Sequence, residues 1–382
     1  MPFLRCFCCF QSTCRSEDEP TRSIASPAPP DQSNERNASD PSSPERPFPS
    51  PVLSRCTLER NAGAQRRGVD NEAHDVIVEA SSGRAWLLEP ESRRTGAVWN
   101  AVEVKRAEPD QRYVELYDEN NRTRRVTIKR TNKKDMEGKW KMRGNPMNEI
   151  AALDILSNPG HPHVLQKVAA LEDDETVYLL MPKVDDGCQG WDSTISLEGI
   201  ETVRKLFRKL VEGIQYMHSK GICHARMCLN NVLFDESREN AYIINFGWSL
   251  RMPVDDQHRR LKSVPDGRRG EAFYCSPEIF KGKAYDGVKV DVFSAGAILF
   301  MMLFGTPALT HTSRFSEEFK GYVIDGKFQE AITLDRLEHI PDGQKISKVL
   351  AQAVVLLRRM MDTEPKNRST LDEVLEHTWM AP

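Results

Sequence analysis

The stretch HARMCLNNVLFDESRENAYIINFG, residues 224–247, decides how this chain is read. It opens on His224, passes the paired amides Asn230 and Asn231, and closes on Asn245, Phe246 and Gly247. The layout is that of a catalytic centre in which some working groups have been exchanged. Arg226 stands early in the loop, and a guanidinium, with a pKa above ~12, is a permanent cation that cannot act as a base. Asn245 offers an amide, which has no charge to give a metal ion such as Mg²⁺.

Downstream, VFSAGAILFMMLF (292–304) is the longest apolar run, 13 residues against the roughly 20 that span a bilayer. It therefore reads as a buried helix. Upstream, Val203, Leu206, Phe207, Leu210, Val211, Ile214 and Met217 recur at helical spacing, and AQAVVLLRRMM (351–361) and LDEVLEH (371–377) carry similar patterns. Further upstream, AVWNAVEV (97–104), RYVELY (112–117) and RRVTIK (124–129) read as three successive strands joined by AEPDQ and DENNRT. A strand-rich first part thus precedes a helical second part. VIVEA (76–80) and WLLEP (86–90) are apolar patches without an assignable role, so residues 76–96 form an unassigned lead-in.

The remaining N-terminal residues, 1–75, are expected to be disordered, because a Pro-, Ser- and charge-rich tract such as SPAPPDQSNERNASDPSSPERPFPSP cannot bury enough apolar area to offset its ordering entropy. Ser26, Ser43 and Ser50 each precede a proline, the pattern of a phosphoacceptor and also of any ordinary linker. The tip, MPFLRCFCCFQSTCR, sets Cys6, Cys8 and Cys9 among Phe3, Leu4, Phe7 and Phe10. Reversible S-palmitoylation and a plain unmodified tail both fit it, while zinc fits less well because the spacing lacks paired C-x2-C ligands. Pro2 excludes myristoylation.

In bulk the chain is ordinary globular material: 382 residues, 39% hydrophobic, formal charge −3. That balance gives no global pull toward nucleic acid or an anionic membrane. No secretory signal is visible, and scattered cysteines in a chain of this length do not read as a disulfide framework. An intracellular, cytoplasmic location is expected, membrane-associated if the tip is acylated.

The order VTIK (126–129), NEIAAL (148–153), HPHVL (161–165), YLLMPKV (178–184), HARMCLNN (224–231), NFG (245–247), SPE (276–278), DVFSAGAILF (291–300) and PKNR (365–368) resembles a eukaryotic protein kinase of the Ser/Thr type over roughly 97–380. The resemblance implies an α+β, bilobal fold: a small antiparallel-sheet N-lobe over 97–183 and a larger helical C-lobe over 184–382. It assigns nucleotide contacts to Lys129, Glu149, Met181, Val184, Asn231 and Leu233, with Asn231 also a weak metal ligand. Structural roles fall to His224, Phe246, Gly247, Glu278, Asp291 and Arg368.

The departures remove chemistry. The catalytic H-R-D aspartate aligns with Arg226, the phosphate-contacting lysine with Cys228 and the D-F-G aspartate with Asn245. Counted without gaps, Val114 follows the glycine-rich loop, so Ala107, Pro109 and Arg112 replace its glycines. Lys167 falls on a normally apolar spine position, or Val168 does after a one-residue shift. ATP is then a possible ligand and Mg²⁺ a weak one or none. The resemblance is to a pseudokinase acting as scaffold or allosteric regulator toward an active kinase or its substrate, the alternative being residual Ser/Thr kinase activity. The basic run HRRLKSVPDGRRG (258–270) is a solvated loop or a docking patch for an acidic partner, and Glu271 takes the place of a substrate-binding threonine.

Overall fold

The computed structural model describes residues 42–43, 47–65, 73–89, 97–107, 112–136, 144–184, 188–189, 199–255, 261–263, 274–305 and 348–381. Strands β1 (Ser54–Gln65), β2 (Ala73–Glu79), β3 (Ala85–Leu88), β4 (Val98–Arg106), β5 (Tyr113–Glu115), β6 (Arg125–Asn132), β7 (Ala169–Glu172) and β8 (Thr176–Pro182) form one eight-stranded sheet. Hydrogen bonding runs β1–β2–β3–β4–β6–β8–β7 and returns to β1, where Ser54 pairs with Leu171. The circuit is closed, a barrel, so these strands leave no open edge for another chain.

Three expectations change here. The sheet is mixed rather than antiparallel, because β1 runs parallel to β7 at its start and parallel to β5 at its end. Residues 54–65, expected within a disordered tract, form the long strand that closes the barrel. The lead-in 76–96 contains β3 and most of β2. All four side chains of β3 are buried: Trp86 and Leu88 face a core with Ile77, Ile128, Leu171 and Leu180, while Ala85 and Leu87 face a second core with Val76, Val104 and Tyr113. A strand covered on both faces shows no apolar–polar alternation, which is why its sequence does not announce it.

Helix α1 (Pro146–Leu156) starts as its sequence dictates, with Asn145 capping the Met147 amide and Pro146 in the first turn, where no amide donor is needed. Helices α2 (Ile200–Ser219), α3 (Gly287–Phe304), α4 (Lys348–Met360) and α5 (Leu371–Leu375) share the largest core with α1. The periodic positions expected over 203–217 are the buried face of α2, and the apolar run 292–304 is the interior of α3, which stops where Gly305 adopts φ 66°. The long apolar helix is thus a core helix, 72% buried over its most apolar window.

One buried histidine sets a pH dependence. His163 is 7% exposed and its Nδ1 has no hydrogen-bond partner among the described residues. Burial, with repulsion from His161 and Lys209, pushes its pKa down to about 4, outweighing the hydrogen bond to the Ala241 backbone that favours the protonated ring. Unfolded, the ring titrates near ~6.5, so its contribution is fully present above that pH and is lost as pH falls toward about 4. The chain should lose about 2 kcal/mol from this group between pH ~7 and pH ~5. Urea unfolding of His163→Gln at both pH values checks it: the variant should show a shallower pH dependence by that amount.

Candidate active site

Lys129, on β6, and Glu149, in the first turn of α1, meet through Nζ and Oε1 at 2.6 Å. Glu149 is 8% exposed at its side chain and Lys129 27%, so the pair lies at the edge of the core. The same Nζ donates to Asn245 Oδ1 at 2.9 Å. Asn245 Nδ2 in turn donates to Asn231 Oδ1 at 2.8 Å, and Asn231 Nδ2 donates to the carbonyl of Arg226 at 2.8 Å. One chain of hydrogen bonds therefore links Lys129, Asn245, Asn231 and the catalytic-loop backbone. It uses both amide oxygens as acceptors from protein donors.

The backbone holding these groups is unusual. Asn245 sits at φ 76°, ψ 56°, a left-handed conformation that asparagine tolerates, and Ala225 at φ 61°, which alanine rarely adopts. Asp291, fully buried on α3, holds the second strained residue in place: its carboxylate accepts from the amides of His224 and Ala225 at 2.8 and 2.9 Å and lies 2.9 Å from His218 Nε2. Burial pushes the His224 pKa down and keeps the ring neutral. Its Nε2–H donates to the Ile244 carbonyl at 3.0 Å, and its ring packs 5.4 Å from that of buried Phe246. Glu278 and Arg368 form a two-pronged ion pair, both arms 2.6 Å, with Arg368 over the face of Phe293.

Arg226 packs its guanidinium 5.2 Å from the ring centre of Trp248, and its buried Nε finds no acceptor among the described residues. Gly144, at φ 84°, also lies against Trp248, so close that an added Cβ would come within 2.9 Å of the indole. The Asn145 amide also donates to the Gly247 carbonyl at 2.8 Å. The turn after Asn245 is thereby clamped to the start of α1. Nothing in the sequence pattern marked Trp248 or Gly144, because each meets its partner only in three dimensions.

Several sequence expectations are relocated. Val98, on β4, pairs with Lys129, and the hairpin strand before it is β3. The strand that starts opposite Lys129 is therefore β4, entered at Val98, and not the strand after AEPDQR, so Val98 replaces Val114. Ala107 and Arg112 close a turn at the far end of β4, about 26 Å from Val98 by strand rise; Pro109, Glu108 and Asp110 lie outside the described residues. The G-x-V spacing at Gly96 to Val98 was the signal that would have found it. Lys167 turns to Asp154, while Val168 packs on the barrel core. Cys228 is 1% exposed, so its thiol belongs to the core.

Met181 is 4% exposed beside Thr127, and Val184 and Leu233 are half-buried against the same core. Val98, paired with Lys129 across the sheet, is 45% exposed. Cys6, Cys8, Cys9, Glu271 and most of the basic run lie outside the described residues.

This chain belongs to the protein kinase family: the family model of the protein kinase domain matches residues 113–380. The match covers the Lys129–Glu149 pair, the 224–247 stretch and the Glu278–Arg368 pair. Kinase domains generally bind ATP and Mg²⁺.

Proposed function

We propose that this two-lobed kinase domain is catalytically impaired, a pseudokinase that works by binding and conformation as a scaffold or allosteric regulator in signalling. The observation that carries the reading is the amide bridge between Asn245 and Asn231. Magnesium needs anionic or unengaged oxygens in a tight octahedral shell. Here the Asn231 oxygen already accepts from Asn245, and the Asn245 oxygen from Lys129. The residues do not fit the metal, and Arg226 supplies no base. Val98, Met181, Val184 and Leu233 are apolar, the character an adenine ring needs in a pocket, so nucleotide bound without metal is compatible with the reading.

The formed Lys129–Glu149 pair, the His224–Phe246 packing and the Trp248 clamp favour a closed conformation suited to presenting a kinase-like surface to an active kinase or its substrate. Acylation at Cys6, Cys8 and Cys9 would place that surface at a membrane in the cytoplasm. The second reading, residual Ser/Thr kinase activity, draws on the intact Lys129–Glu149 pair and on Asn231. Incubation of the full chain with γ-labelled ATP, alone and with a mixed protein substrate, separates the two. No incorporation is expected; incorporation lost in Lys129→Met would establish the enzyme instead.

A further inference from the structure

The Pro-rich tract does not end at the barrel; its last residues lie on the domain. Ser42–Ser43 pairs in parallel with Lys262–Ser263 of the activation segment. Next, the Pro47 carbonyl accepts from Arg251 Nη1 at 3.2 Å, also in that segment. The side chains of Phe48 and Leu53 pack, partly buried, against the main core. The Val52 amide then donates to the Asp154 carboxylate on α1 at 3.4 Å, after which the chain enters β1.

Residues 47–53 therefore span from the activation segment to α1, the helix that carries Glu149 of the pair with Lys129. Pro47, Pro49 and Pro51 alternate through this span, fixing φ and reducing the freedom lost on docking. Between the anchors Phe48 and Leu53 the chain lies at the surface: Pro49 and Ser50 are exposed and Val52 is 76% exposed. Ser50, followed by Pro51, is therefore an accessible Ser-Pro step.

We propose that residues 47–53 are a strap holding α1 against the activation segment, and that Ser50 is a phosphoacceptor for a separate proline-directed kinase whose modification loosens it. In that step the Ser50 hydroxyl oxygen bonds to the γ-phosphorus of ATP held by the modifying kinase. The β–γ bridge breaks, ADP leaves, and the hydroxyl proton passes to that enzyme's base. The phosphate arrives with a charge near ~−2, two residues from Val52, whose amide is held by the Asp154 carboxylate. Like charge at that point works against the α1 anchor, even with Lys167 paired to the same carboxylate. The link between Ser50 and α1 needs no nucleotide and is independent of whether the domain transfers phosphate.

The test treats full-length protein carrying Ser26→Ala and Ser43→Ala with a proline-directed Ser/Thr kinase and Mg²⁺·ATP. Modification is mapped by mass spectrometry, and amide hydrogen exchange is followed over 146–156. Phosphate on Ser50, absent from a version also carrying Ser50→Ala, with exchange in α1 several-fold faster, is the expected result. Phe48→Ala, which removes an apolar anchor without adding charge, should speed the same amides. Ser50 left unmodified, or modified with exchange in α1 unchanged or slower, would overturn the proposal. So would Phe48→Ala with native exchange, since the strap would then hold nothing.

Discussion

Replacing Arg368 with alanine is expected to cost about 3–5 kcal/mol of stability, the range for removing one member of a buried ion pair. The guanidinium is fully buried at the side chain and Glu278 7% exposed, so the variant leaves a carboxylate with little water to replace both 2.6 Å hydrogen bonds. Arg368 also donates to the carbonyls of Asp362 and Lys289 and covers Phe293, so three segments lose a common tie. Urea unfolding followed by tryptophan fluorescence measures the loss. A double variant, Glu278→Gln with Arg368→Met, should recover much of it, because no unpaired charge is then buried. A single-variant loss below about 1 kcal/mol, the scale of an exposed pair, would mean that Glu278 reaches water.

Restoring the carboxylate with Asn245→Asp should make the domain less stable in EDTA and give it a dependence on Mg²⁺. The variant removes the donor that faces Asn231 Oδ1 at 2.8 Å and sets an anionic oxygen against a neutral one. Two acceptors in that position cost about 1–3 kcal/mol unless a cation or a turned amide intervenes, and Lys129 offsets part of it. Two oxygens converging on one point are also what a divalent ion requires. Thermal unfolding with nucleotide should therefore show Asn245→Asp below the native chain in EDTA and recovering as Mg²⁺ is added, by mass action. Phosphoryl transfer should not return, because Arg226 still occupies the position of the base.

Much of this was legible because it rests on spacing within one segment. Lys129, Glu149, Asn231 and Asn245 fall at positions whose neighbours in sequence identify them, and their side chains do converge. The helical periods over 203–217 and the apolar run from 292 mark α2 and α3 for the same reason. What stayed hidden depends on partners distant in the chain. The strand Ser54–Gln65 has few apolar residues and borrows its pairing from β2, β5 and β7. Without β1 to β3 in view, the ungapped count took the strand at Val114 for the one that starts opposite Lys129, one hairpin too late. Trp248 joins Arg226 to Gly144, a contact that no local pattern encodes. The sequence shows Arg226 only as a cation in place of the base; its neighbour among the described residues is an indole face, which accepts a cation without neutralising it.

The central claim is that the amide bridge has taken the place of a magnesium site. Isothermal titration of ATP into the native full-length chain, once with Mg²⁺ and once with EDTA, tests it most directly. The account predicts the same result in both, whether equal affinities or equal absence of binding heat. An affinity at least tenfold tighter with Mg²⁺, a difference of about 1.4 kcal/mol, would show that Asn231 and Asn245 open to receive the ion, and would contradict it.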